Sequence, residues 1–198
     1  MKRLTFLAVL LLLAAAADAH PHKRPRSKSS LMGDTEVVKP APAEPMTLAS
    51  PAFPDGGRIP DRYTCEGEDL SPPLTWSHVP EGTEAFVLIC DDPDAPGGTW
   101  RHWLLVDLPG NLRGWEQGLS DGIKLLPGNA VHGLNSWDRA DWGGPCPPRG
   151  PAHRDEFTLY ALSSTLNLRG GAPTQEEVLD ALRGLTLGEA RLTGTYSR

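Results

Sequence analysis

Little in this chain favours a nucleic-acid partner, a membrane span or a repeat architecture. Lys and Arg number 19 against 25 Asp and Glu, a formal charge of −6, so there is no basic surface to neutralise the phosphates of a nucleic acid. Long apolar runs are also missing: Leu4–Ala17 falls short of the roughly 20 residues that a spanning helix needs. No cysteine follows that run, which argues against a lipid-anchored N-terminus. There is no internal repeat, and no strand-helix-strand rhythm of the kind that builds a parallel α/β sheet. Cysteine is scarce, at three residues in 198.

The segments that are present divide the chain. Lys2-Arg3, the apolar run and the small-x-small pattern Ala17-Asp18-Ala19 predict a signal peptide over residues 1–19, and hence export to a periplasmic or extracellular compartment. Its removal would leave the chain near −7. Residues 20–46 carry the basic cluster Lys23-Arg24-Pro25-Arg26-Ser27-Lys28, are rich in Pro, Ala and Ser and lack hydrophobic periodicity, so a disordered linker is expected. Residues 47–198 are the size of one domain. In an oxidising compartment the loop cysteines Cys65 and Cys146 are the natural disulfide pair, with Cys90 left as a small apolar residue at the end of a strand. Such a bridge closes a loop of about 80 residues, worth on the order of 4 kcal/mol in the chain-entropy account.

The organising stretch is Ile89 to Val106. Phe86–Cys90 and Trp103–Val106 are apolar runs of strand length, and the Pro- and Gly-punctuated segment between them predicts a hairpin. Asp92 and Asp94 leave the first strand while Trp100 and His102 enter the second, with Pro93 and Pro96 stiffening the rim. A second rigid loop, Gly143–Ala152, contains Pro147 and Pro148 and delivers His153 to the head of the strand Phe157–Leu162. Two strands thus begin beside a histidine. If they share a sheet, the imidazoles converge with Asp92.

Asp92-Pro93-Asp94-Ala95-Pro96, Trp100-Arg101-His102-Trp103, Gly144-Pro145-Cys146-Pro147-Pro148-Arg149-Gly150 and His153-Arg154, in this order and spacing, resemble the signature of the phosphatidylethanolamine-binding proteins, also called Raf kinase inhibitor-like proteins. The likeness is to their bacterial YbhB/YbcL branch. It runs from about Leu48 to the C-terminus and takes in Tyr63–Gly67 and Ser71–Trp76. The resemblance implies a mainly β fold, an antiparallel Greek-key β-sandwich. It also implies a small anion pocket lined by Asp92, Trp100, His102, Pro147, Pro148 and His153. One departure stands out: many relatives follow His-Arg with Tyr, whereas Asp155 follows Arg154 here. The aromatic ring and hydroxyl of that tyrosine are therefore replaced by a carboxyl.

The rest of the chain agrees with a β-sandwich. Pro173–Gly184 predicts one short peripheral helix near the C-terminus, with Thr174 and Glu177 as a capping box and Gly184 as the stop. Ala190–Tyr196 predicts a final strand. His132 is expected to be structural. Gly118-Leu119-Ser120-Asp121-Gly122 matches the pattern of a nucleophile elbow, but no strand-turn-helix surrounds it. Asp92, His102 and His153 could make a two-histidine, one-carboxylate metal set, yet proline-rich walls offer few further ligands, so neither metal nor other cofactor is expected.

The reading is a non-catalytic, exported module for a phosphate-like or carboxylate-like small anion or a phospholipid headgroup. Inhibition of a kinase or protease target is a further role that the family suggests. Imidazoles and the amides of the Gly143–Gly150 loop would donate to the anion, while Asp94 and Asp92 complete the site, Asp92 orienting a histidine or meeting an ammonium group. A hydrolase using the His/Asp pocket, metal-dependent or serine-based, is the alternative.

Overall fold

The computed structural model describes residues 44–119 and 126–198, within one compact unit, Ala41–Arg198. The expected signal peptide, nearly all of the expected linker, and Ser120 lie outside the described residues. Met46, at the linker's expected end, is already buried in the core, and Glu44 pairs with His78.

Nine strands, one α-helix and a single 3-10 turn (Asp61–Tyr63) make up the described chain: β1 (Thr47–Ala49), β2 (Gly57–Arg58), β3 (Leu74–Ser77), β4 (Ala85–Asp92), β5 (Trp100–Pro109), β6 (Gly114–Trp115), β7 (Val131–His132), β8 (His153–Leu162), α1 (Gln175–Ala181) and β9 (Thr186–Tyr196). They form two sheets, one of three strands in the order β1-β3-β6 and one of six in the order β2-β9-β8-β4-β5-β7. The fold is mainly β with the expected short helix near the C-terminus. One pairing departs from a purely antiparallel arrangement: β2 runs parallel to β9. None of the described helices is long and apolar enough to cross a membrane.

The unbroken apolar run of β4 follows from its central place, because a strand covered on both faces has no reason to alternate. Phe86, Leu88 and Cys90 face the core between the sheets, with Leu48, Leu74, Trp76, Trp103, Phe157 and Leu192. Val87 and Ile89 pack on the other side against Val178 and Leu182 of the helical segment. At about 1.5–3 kcal/mol for each large side chain fully removed from water, these two layers dominate the stability. The helix starts where its capping box dictates: Thr174 Oγ1 accepts from the Glu177 amide and the Glu177 carboxylate accepts from the Thr174 amide. Gly184, at φ +77°, follows it in the left-handed region.

The predicted hairpin is present, with longer strands than its apolar runs, and β9 begins at Thr186, ahead of the expected Ala190. A register irregularity between Cys90 and Asp91 puts Asp91 opposite Arg101 and Asp92 opposite Trp100. On the other side of β4, Asp91 pairs with Glu156 of β8. One step further along, Asp92 and Asp155 therefore stand opposite each other at the same end of the sheet.

Candidate functional site

That end of the sheet opens into a cleft of about 300 Å³ lined by Asp92, Ala95, Pro96, Trp100, His102, Trp137, Cys146, Pro147, Pro148 and His153. Six of the seven residues named from the sequence line it. The seventh, Asp94, does not: its carboxylate is gripped by Arg154, whose Nε and Nη2 donate at 2.9 and 2.8 Å while the Arg154 amide donates at 3.0 Å. Those bonds hold the Asp94 carboxyl down at about 2. The planar guanidinium offers two parallel donors, a better partner than the cleft can supply, so Asp94 clamps the acidic turn to the start of β8.

Asp92 and His153 form the wall where β4 ends and β8 begins. The His153 Nδ1–H donates to Asp92 Oδ2 at 2.7 Å, and the Asp94 amide donates to Asp92 Oδ1 at 2.8 Å. Asp92 thus orients the histidine and satisfies the turn at once. His153 Nε2 has no hydrogen-bond partner among the described residues.

His102 behaves differently from its expected role. It is 3% exposed, its Nδ1–H donates to the Gly143 carbonyl at 2.6 Å, and its Nε2 lies 3.3 Å from Asp155 Oδ1. Burial lowers the pKa of this ring below the ordinary histidine value, against the pull of the Gly143 carbonyl and Asp92. Nδ1 is taken by the Gly143 carbonyl and Nε2 faces Asp155, so the ring is held as a wall of the cleft. Its neighbour Asp155, 1% exposed, is pushed well above the usual carboxylate range, first by burial and then by Asp92 and Asp94. Burial thus disfavours the charged form of both partners.

The proline loop is fixed from several sides. Cys65 and Cys146 are joined in a disulfide with Cα atoms 5.5 Å apart, the pair expected from the loop cysteines, and Cys90 is a buried free thiol. Arg198 Nε donates to the Pro147 carbonyl at 2.7 Å. Two of the loop amides expected to face an anion are occupied elsewhere: the Gly143 amide donates to the His102 carbonyl at 3.1 Å and the Gly144 amide to Asp69 Oδ1 at 2.8 Å.

Trp137 was not among the residues singled out from the sequence, yet it lines the cleft. Asn135 Oδ1 accepts from the amides of Trp137 and Arg139, and its Nδ2 donates to Asp141, making a rigid turn. Ser136 fastens that turn to β5 through two hydrogen bonds with the Arg101 backbone. The ring of Trp137 meets Trp100 edge-on at 5.1 Å and His102 at 5.5 Å. Gly143 permits this, since a Cβ there would run into the Trp137 ring. The Asn-Ser turn residues are the local signal that could have pointed to it. His132 is structural as expected, accepting from Trp103 Nε1 at 3.3 Å. No cluster of metal-ligating side chains is present among the described residues.

A family model described as "Phosphatidylethanolamine-binding protein" matches residues 49–197. The chain belongs to the phosphatidylethanolamine-binding protein family. A UPF0098 protein of Methanothermobacter thermautotrophicus is 48% identical over 153 residues, covering 77% of this chain and 99% of that one. A Mycobacterium tuberculosis protein described as "Putative lipoprotein LppC" is 42% identical over 164 residues, 81% of this chain and 77% of the relative. The crystal structure of E. coli YbcL, described as a member of the mammalian PEBP family, superposes with a TM-score of 0.71 at 33% identity, covering 78% of this chain and 99% of YbcL. In this member of the family, the acidic turn, both histidines and the proline loop meet at one cleft, with Trp137 as an added wall.

Proposed function

We propose that this phosphatidylethanolamine-binding family member binds, without transforming it, a small ligand carrying a phosphate-like anion, of which a phosphoethanolamine headgroup is the model. The observation that carries this reading is the His153–Asp92 pair. Asp92 holds the Nδ1–H, which leaves Nε2–H of the protonated ring to make a charge-assisted hydrogen bond to a phosphate oxygen. Asp92 is at the same time a carboxylate for an ammonium group, and the Trp100 and Trp137 rings line the same cleft, Trp137 also carrying the Arg139 guanidinium 5.6 Å from its centroid. A volume of about 300 Å³ matches a headgroup at the lower end of small-molecule sites. The one lining sulfur, Cys146, is committed to a disulfide, which supports binding over covalent chemistry.

The disulfide, and the description of LppC as a lipoprotein, also support export of this chain to an oxidising compartment. Calorimetric titration with phosphoethanolamine, inorganic phosphate and ethanolamine tests the reading. Phosphoethanolamine should bind most tightly, and His153→Ala should weaken both phosphate-bearing ligands. Equal binding of all three to the wild type and to His153→Ala would remove the reading.

A further inference from the structure

The least expected group near the cleft is Asp155. Its place follows from alternation along β8, where His153, Asp155, Phe157, Leu159 and Ala161 share a face and the last three are core residues. Asp155 lies one residue beyond the last paired positions of β4 and β8, directly across from Asp92. Two carboxyl groups so placed on one face repel each other if both are charged. Asp92 has charge-compatible partners in the His153 ring and the Asp94 amide. Asp155 has only His102 Nε2, at 3.3 Å, and its Oδ2 is buried without a hydrogen-bond partner.

Apart from the His153 ring, which is bonded to Asp92, the surroundings offer Asp155 no cation. From β4 it is faced by Cys90 and Asp92, and Asp94 lies in the turn that follows. Across in β9 its partner is Gly194, which has no side chain; a Cβ there would meet Ile59. Arg154, the adjacent cation, is turned to Asp94 and Glu156 on the exposed side. Because His102 Nδ1–H is donated to Gly143, Nε2 of the neutral ring presents a lone pair. Asp155 Oδ1 lies 3.3 Å from that lone pair, and two facing lone pairs repel unless the carboxyl carries a proton.

We propose that Asp155 determines the charge of ligand this cleft admits. With His102 it holds one proton behind the cleft wall; while the proton is held a phosphate-type anion is accepted, and when it leaves to solvent a second carboxylate beside Asp92 turns the anion away and favours an ammonium group. This rests on the binding reading above. It assigns the selection to a residue that does not line the cleft and acts on the ligand through His102 and through the field beside Asp92. The raised pKa of the buried carboxyl agrees with the geometry.

The test combines carboxyl and imidazole NMR of the intact protein with calorimetry of inorganic phosphate and ethanolamine across pH, in the wild type and Asp155→Asn. The Asp155 carboxyl carbon should titrate above the ordinary carboxylate range, with His102 neutral and protonated at Nδ1. Across that titration the wild type should lose phosphate affinity by tenfold or more and gain ethanolamine affinity. Asp155→Asn should show neither change, while keeping the phosphate dependence that belongs to His153. An Asp155 carboxyl that titrates in the ordinary range overturns the proposal in the wild type alone, whether or not the variant folds. So does an Asp155→Asn protein whose two affinity profiles parallel the wild type. If phosphate binds neither protein but ethanolamine affinity follows the Asp155 titration, the phosphate reading of the cleft fails and the selection by Asp155 stands.

Discussion

His153 and Asp92 are joined by a 2.7 Å hydrogen bond that ties the first residue of β8 to the last residue of β4. The bond fixes the ring at the open end of the sheet and decides which nitrogen is left for a ligand. Removing the charge of Asp92 should separate two kinds of ligand. With Asp92→Asn, inorganic phosphate should bind no more weakly, having lost a repulsive neighbour, while phosphoethanolamine should lose the partner of its ammonium group. Calorimetry with both ligands reads the difference. Parallel loss of both would show Asp92 to be a scaffold only.

The buried acid and imidazole set opposite pH limits on stability. Asp155 has a raised folded pKa. The unfolded chain therefore releases this proton from about pH 3.9 upward while the folded chain keeps it, and stability present below that pH is lost as pH rises toward the folded value. His102 has a lowered folded pKa. Its contribution is present above about pH 6.5 and is lost as pH falls through the folded value. Asp155→Asn should thus be more stable than the wild type above about pH 4, by an amount that grows by up to about 1.4 kcal/mol per pH unit. The loss on the acid side due to His102 should remain. Denaturant midpoints across pH measure both, and a difference independent of pH would count against a protonated Asp155.

The disulfide joins Cys65 to the proline loop across 81 positions of sequence. Replacing both cysteines with serine should cost on the order of 4 kcal/mol in stability. It should also reduce ligand affinity, because Pro147 and Pro148 lose their anchor to the loop before Ser71. Denaturation together with calorimetry checks this; a stable variant with unchanged affinity would mean that Arg198 and the Asp69–Gly144 bond hold the loop unaided.

Trp137 should matter for ligands with a cationic group. Trp137→Ala opens one wall of the cleft and removes an aromatic face, a loss of about 0.5–2 kcal/mol, or roughly 2- to 30-fold in phosphoethanolamine affinity. Inorganic phosphate should be nearly unaffected. Competition between the two ligands in the variant shows whether the ring recognises the cation.

What could be read from the sequence was what local chemistry determines. The apolar run Phe86–Cys90, the capping box Thr174–Glu177 and the histidine at the head of each strand announce their structure through neighbours a few residues away. Asp155 was legible in principle, since it stands in phase with Phe157, Leu159 and Ala161. Its effect on His102 was not, because that depends on a carbonyl at Gly143 and a carboxyl on another strand. Trp137 reaches the cleft because Gly143 lacks a side chain and Ser136 is fastened to β5; the Asn135-Ser136 turn has a local signature, but these two long-range relationships do not. Asp94 looked like a site residue by position, but the orientation of Arg154 withdraws it. The parallel β2–β9 pairing likewise joins positions too far apart for any turn to announce.

The central claim is that the His153 ring, held by Asp92, is the group that receives the phosphate. Calorimetric titration of phosphoethanolamine into the wild type and His153→Ala, at a pH where imidazole is protonated and again one where it is not, tests this most directly. The account predicts a loss of about 1.5–3 kcal/mol in the variant at the lower pH, roughly 10- to 150-fold in affinity, and a much smaller difference at the higher pH. Identical affinity of the two proteins at the lower pH would contradict it.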